Sequence, residues 1–226
     1  MDISIVNRST LATDAELLGY LPALQKQYDE DFLPFWPDGG PCKISFVGVG
    51  QPEITGTVPL YITDRSDVQG DLGYHEESGA VPDAKVFVQD CRLYSVPLSS
   101  VISHELLEMQ GDPSARITRP GIDGRYYMQE ACDPVSADLY NKEGVTVSNF
   151  VTPAYFLIRY NAPDQRYDFL RHLRAACPTL GYGGYNEGWD GTQWVQVRAR
   201  LASGYHLHLS DRRGRSYWRA TQGAPK

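Results

Sequence analysis

The sequence predicts an α+β protein: a mixed sheet served by one charged helix, with a small β appendage at the C-terminus. Three observations lead there. Short apolar runs with period-two alternation and one stretch with helical periodicity give the early order strand, helix, strand, strand, strand; a second helical stretch, Leu98 to Gly111, follows them; and the last forty or so residues return to period-two alternation. A chain of 226 residues is long enough for one sizeable domain and a small addition. We therefore expect a main domain over 1–180. A Gly/Tyr-rich segment, Gly181-Tyr182-Gly183-Gly184-Tyr185, then opens the appendage over 181–226.

Taken in order, Ile3 to Asn7 reads as a strand, and Thr13-Asp14-Ala15-Glu16 opens a helix through Leu17, Leu18, Leu21, Leu24 and Tyr28, with Pro22 as a point of bending. After the Pro/Gly punctuation from Pro34 to Pro41, Lys43 to Val49 and Thr57 to Thr63 read as strands, and Pro59 favours an edge or strand-start position. A polar turn region containing Gly73-Tyr74-His75-Glu76 precedes a strand at Lys85 to Gln89. Ser99 or Ser100 is an N-cap for the next helix, of about three turns, and Gly111 before Asp112-Pro113 stops it. The Pro-, Gly- and Arg-rich segment 112–125 reads as a loop, Val145 to Val151 as a strand, Thr152-Pro153 as a turn and Tyr167 to Ala176 as an amphipathic helix. Trp194 to Arg200 and Tyr205 to Leu209 alternate as strands of the appendage.

Composition removes several functions. With 42% hydrophobic and 12% aromatic residues the chain is globular in character, and no apolar run approaches the roughly 18 residues of a membrane span; no membrane partner is expected. A formal charge of -7 argues against nucleic acid, which needs a basic face. The N-terminus carries Asp2 where a secretory signal would carry basic residues, so a cytoplasmic protein is expected. Four cysteines, Cys42, Cys91, Cys132 and Cys177, form no CxxC pair and read as buried thiols. Cys132, between Glu130 and Asp133, is also placed where a thiolate would meet a metal, though a small core residue is the stronger expectation.

Chemistry concentrates in Ser103-His104-Glu105-Leu106-Leu107-Glu108-Met109, one residue away from the HExxH helix of zinc peptidases. A helix turns about 100° per residue, so His104 and Glu108 lie on one face and can grip one ion. Glu105, one residue round, is placed to reach a water on that ion without occupying a coordination site, which is the position of a general base. A hydrolytic site of this kind takes three protein ligands, and the best third candidate is Glu130, 22 residues beyond Glu108 and across a loop.

At this point the sequence resembles the gluzincin branch of the zincin peptidases, in which an HExxH helix is followed across a loop by a Glu ligand and a nearby Asp. The resemblance covers roughly residues 43–160. It is narrower still toward uncharacterised zincin-like proteins of bacteria and their phages, through the segments Ser103–Met109, Glu130–Val135 and Val147–Phe156. It implies a zincin-like mixed sheet, a divalent metal (zinc by default), a peptide or protein substrate and, from the phage likeness, virion association as an alternative location. Asp133 matches the family's Asp, which there orients a ligand. Two departures stand out. Glu108 replaces the second His, and Glu130 and Asp133 are three residues apart where the family has four, which leaves open which acid is the ligand. A set of two carboxylates and one imidazole neutralises a divalent ion and favours oxygen-preferring metals such as manganese, with activity shifted to higher pH.

His75, just before the expected edge strand, is a candidate for stabilising an oxyanion, and Tyr74, Tyr126 and Tyr127 are alternatives for that work. His206 and His208 share a strand face, and Trp189, Trp194 and Trp218 suit either a tiny core or a binding platform; neither group is assigned a site. The expected function is a metal-dependent hydrolase, most readily a peptidase. In it His104, Glu108 and Glu130 or Asp133 hold the ion, Glu105 is the base, and a peptide pairs antiparallel with Lys85 to Gln89. The alternative is a zincin-shaped structural or binding protein in which the ion only staples the fold.

Overall fold

In a computed structural model, residues 1–67, 71–77, 81–158 and 166–199 are described. The central five-stranded sheet contains β1 (Ile3–Asn7), β2 (Ile44–Val47), β3 (Val58–Thr63), β4 (Gly73–Glu77) and β5 (Pro82–Phe87) in the order β2-β1-β3-β5-β4. The first four strands across this order run parallel and β4 runs antiparallel to β5, with His75 opposite Ala84. The sheet is mixed and the content α+β, as the sequence predicts. Strand β3 alternates buried and half-buried positions along its length. Pro59 stands near the start of this interior strand: it pairs with Ser4 on one side, and pairing with β5 begins only at Leu60, so the missing N–H breaks no ladder there.

The expected edge is displaced. The segment Lys85 to Gln89 is not a marginal strand: β5 lies between β3 and β4, and the chain turns at Val88 into a short helix α2 (Val88–Leu93). The margin is β4, whose Gly73-Tyr74-His75-Glu76 read as a polar turn. Its apolar signal is weak because its inner face is covered by a helix that itself carries charges.

Helix α1 (Asp14–Lys26) begins at Thr13, whose side chain accepts from the Glu16 N–H at 3.1 Å, and Pro22 sits inside it. One wider turn, Gln27–Phe32, extends it, with Leu33 N–H bonded to the Tyr28 carbonyl. Helix α3 (Leu98–Gly111) runs 14 residues, close to four turns. Pro97 is its N-cap instead of Ser99 or Ser100. Those serines lie in the first turn, bonded to the carbonyls of Thr146 and Pro97, each at 2.7 Å. Every residue from Leu98 to Gln110 is buried. Such a helix must satisfy its uncharged polar groups internally, and it does. Ser103 donates to Gln27 and accepts from the Ser148 N–H, and Gln110 donates to the Met1 carbonyl.

A second sheet, order β11-β10-β7-β6, joins β6 (Thr118–Pro120), β7 (Tyr126–Met128), β10 (Tyr185–Trp189) and β11 (Trp194–Arg198). Between β7 and β10 in sequence lies a separate hairpin of β8 (Leu139–Lys142) and β9 (Val145–Ser148), turning through Glu143 and Gly144, both at positive φ. The first strands after the Gly/Tyr-rich segment are therefore attached to earlier chain, through Gly188 opposite Tyr127. A Cβ at Gly188 would meet the Tyr127 ring at 2.7 Å. His206, His208 and Trp218 lie outside the described residues.

No helix forms at Tyr167 to Ala176. Asp168 instead accepts from the N–H groups of His172 and Leu173 and from the Asn149 amide, and Arg171 has φ +62°. The apolar residues there pack individually: Phe169 stacks on Phe150, centroids 5.2 Å apart, and Phe150 meets Phe32 edge-on at 5.1 Å. Among the described residues no helix is long and apolar enough to cross a membrane.

Asp64, just past β3, ties down the chain that leaves β1. It accepts from the Ser9 hydroxyl and from the N–H and hydroxyl of Thr10, at 2.8 and 2.6 Å, and these bonds lower its carboxyl from 3.8 to about 2. A depressed carboxyl stabilises the fold above its unfolded value and stops doing so as pH falls through the folded one. Asp64→Asn is therefore expected to lower Tm at pH 7, with the gap from wild type closing between about pH 4 and pH 2; thermal unfolding followed by circular dichroism at a series of pH values measures it.

Candidate metal centre

Because α3 has no exposed side, His104, Glu105 and Glu108 are all held in the interior. Glu108 is the hub. Its Oε1 accepts from the N–H groups of Cys132 at 3.1 Å and Asp133 at 3.2 Å, which fixes the Glu130–Asp133 segment against the helix. The same oxygen lies 3.3 Å from His104 Nε2, and His104 Nε2 lies 3.1 Å from Asp133 Oδ1. Ligand atoms of these three residues fall within 4.8 Å of one another. Glu108 Oε2 points the other way, 3.6 Å from His75 Nδ1, and makes no hydrogen bond.

Of the two acids left open as third ligand, the structure groups Asp133 with His104 and Glu108 and sends Glu130 elsewhere. A short 3-10 turn, Asp133–Val135, aims Asp133 at the helix. Glu130 Oε2 lies 3.7 Å from His75 Nε2. Both acids are buried.

His75 does not occupy the place expected of an oxyanion partner. It is fully buried on β4, with Nδ1 3.4 Å from Glu105 Oε2 and Nε2 3.0 Å from the Asp112 carbonyl oxygen. The tyrosines proposed for the same work are engaged away from the centre: Tyr74 with Asp67 and Lys85, Tyr127 with Asp123, while Tyr126 is exposed. Cys132 is buried, and burial followed by the nearby Glu108 pushes its thiol well above its usual range, so it packs as a neutral core residue.

The electrostatics are lopsided. Among the described residues, Glu105, Glu108, Asp112, Glu130 and Asp133 are buried together, and the buried basic side chains beside them are His75 and His104. Burial raises Glu108 above the ordinary carboxylate range, the Asp133 charge adds to this, and His104 opposes it. For His104, burial works against the imidazolium, yet Glu108 and Asp133 outweigh it and hold the ring well above its usual value. A buried excess of carboxylates needs protons or a cation.

A divalent cation fits the donors. Two ligand atoms, each about 2.1 Å from a tetrahedral ion, lie roughly 3.4 Å apart; the His104–Glu108 and His104–Asp133 separations of 3.3 and 3.1 Å are of that size. Access is present as well. A cavity of about 240 Å³ reaches His104 and Glu105, walled by apolar groups including Val96, Pro97, Ala137 and Leu139 and by Tyr185 from β10.

Two contributors escaped the sequence reading. In sequence Asp112 marks only the end of the helix, and no sequence signal marks its carbonyl as a partner for His75. Tyr185 belongs to the Gly/Tyr-rich segment that opens the expected appendage; its place at the cavity follows from the pairing of β10 with β7. No family model matches this sequence, and no similar chain is found among curated proteins or solved structures.

Gly73 at the start of β4 also lines the cavity, and a Cβ there would lie 2.9 Å from the Lys85 carbonyl and 3.0 Å from both Glu105 Oε1 and Val101 Cγ1. Gly73→Ala is expected to cost about 1–3 kcal/mol, the usual range for overpacking. Gly19→Ala, in an exposed turn of α1 with nothing within 4 Å of the new methyl, is expected to gain about 0.5–1 kcal/mol. Urea unfolding of the two variants beside wild type measures both signs.

Proposed function

We propose that this chain is a metal-dependent hydrolase of zincin-like build acting on peptide or protein substrates. The observation that carries the reading is the convergence of His104, Glu108 and Asp133, from a helix and a separate turn, beside Glu105 at a cavity. His104, Glu108 and Asp133 would hold the cation, with zinc or an oxygen-preferring ion such as manganese as its identity. Such an ion supplies a Lewis acid that acidifies water and polarises a carbonyl.

The protein's own groups do the rest. Glu105 lines the cavity one residue round the helix from His104, placed to accept the proton of an attacking water and pass it to the leaving amine. The N–H groups of Cys132 and Asp133 keep the Glu108 carboxylate in one orientation. Strand β4, at the margin of the sheet and starting at the cavity with Gly73, offers its backbone to an extended peptide; this takes over the role expected of Lys85 to Gln89. An antiparallel marginal strand beside the charged helix supports the zincin-like reading. The cavity favours an enzyme over a stapled fold, since an ion that only stabilises needs no route from outside.

Two variants test this. Glu105→Gln is expected to reduce chelator-sensitive cleavage of an unstructured protein such as casein by about 10²–10⁴-fold with the His104 cation retained. His104→Ala is expected to lose that cation in elemental analysis. A melting temperature lowered by chelator, with no cleavage by wild type under any metal, would favour the structural staple instead.

A further inference from the structure

The metal centre has a second half. On the far side of Glu108, the ligand atoms of His75, Glu105 and Glu108 form another group within 4.8 Å, built from the strand β4 and two positions of α3. His75 Nδ1 lies 3.4 Å from Glu105 Oε2 and 3.6 Å from Glu108 Oε2, again close to the roughly 3.4 Å that two ligands of one tetrahedral ion keep between them.

Hydrogen bonding at His75 points the same way. A backbone carbonyl only accepts, so the 3.0 Å contact with Asp112 requires His75 Nε2 to carry the hydrogen. The other nitrogen, Nδ1, then faces two carboxylates. A lone pair aimed at two anions is repulsive, and positive charge must stand between them, as a proton or as a cation. Glu108 Oε2 is fully buried, points into this group and has no hydrogen bond. Behind the ring, the Asp112 carbonyl holds His75 in the way that carbonyls commonly orient a ligating imidazole, with Glu130 Oε2 3.7 Å from the same nitrogen.

We propose that the protein binds two divalent cations, one held by His104, Asp133 and Glu108 Oε1, the other by His75, Glu105 and Glu108 Oε2, with the Glu108 carboxylate bridging them. This deepens the hydrolase reading and rests on its first cation. It also gives a reason for the departure from HExxH: a carboxylate at position 108 offers an oxygen to each ion, whereas an imidazole has only one nitrogen facing the site. Charge agrees. Five carboxylates are buried here, Glu105, Glu108, Asp112, Glu130 and Asp133, so two divalent ions offset four of their charges where a single ion offsets two. Glu105 keeps a second oxygen, Oε1, beside Gly73 at the cavity, so holding the second ion and accepting a proton fall to different atoms of the same carboxylate.

The full chain, stripped with chelator and titrated with Mn²⁺, tests this by stoichiometry and electron paramagnetic resonance. Two equivalents per chain and a spin-coupled spectrum are expected for wild type, one equivalent and an uncoupled spectrum for His75→Ala and for His104→Ala, and loss of coupling for Glu108→His. Should His75→Ala fail to fold, the wild-type stoichiometry and coupling decide alone. A single equivalent in wild type, lost in His104→Ala, overturns the second cation and leaves the hydrolase reading standing. Two uncoupled equivalents overturn the bridge. No binding in wild type removes both.

Discussion

A helix with no exposed face cannot carry three ionisable side chains unless the protein brings their counter-groups inside, and α3 carries three. Its uncharged polar residues are satisfied by neighbours from α1, the N-terminus and β9. His104, Glu105 and Glu108 need more than hydrogen bonds, because a buried charge without compensation costs several kcal/mol even after relaxation. The architecture around α3 answers that demand. Strand β4 delivers His75, the turn after β7 delivers Asp133, and the end of the helix delivers the Asp112 carbonyl.

This coupling explains why β4 lies where it does. A marginal strand of sequence Gly-Tyr-His-Glu-Glu has little apolar surface to anchor it, yet its first three residues are buried. Tyr74 packs against Phe87 on one side, while Gly73 admits the Glu105 carboxylate and His75 reaches the charged cluster on the other. Local stability and the site's chemistry therefore draw on the same contacts. Repacking the cluster with apolar groups would be expected to help the fold, as it often does for buried ion pairs, at the expense of any cation.

Much of this was legible in the sequence, for physical reasons that differ by element. Strands β1 and β3 and helix α1 carry strong periodicity, and the i, i+4 spacing of His104 and Glu108 dictates a shared face before any tertiary contact is known. The expected helix at Tyr167 to Ala176 failed because Asp168 captures the N–H groups a helix would use, while Phe169 is claimed by an aromatic cluster from distant chain. Strand β8, Leu-Tyr-Asn-Lys, was invisible for want of apolar alternation. Spacing left Glu130 and Asp133 equivalent; two backbone bonds to Glu108 separate them. The partners of His75 were beyond reach because one is a carbonyl, which every residue possesses.

Glu108 is where the sequence departs most from its resemblance, and its consequence depends on how many ions share it. With a single ion, His104, Glu108 and Asp133 cancel the divalent charge and leave a weak Lewis acid. With two ions, the charge of Glu108 is divided between both, and each retains more of its own. Lewis acidity rises with the charge a metal keeps, so the bridging arrangement recovers part of what replacement of a neutral imidazole by a carboxylate removes. A glutamate at this position is thus a handicap in a one-ion centre and an asset in a two-ion one. The buried, hydrogen-bond-free Glu108 Oε2, turned toward His75, is the atom on which that distinction rests.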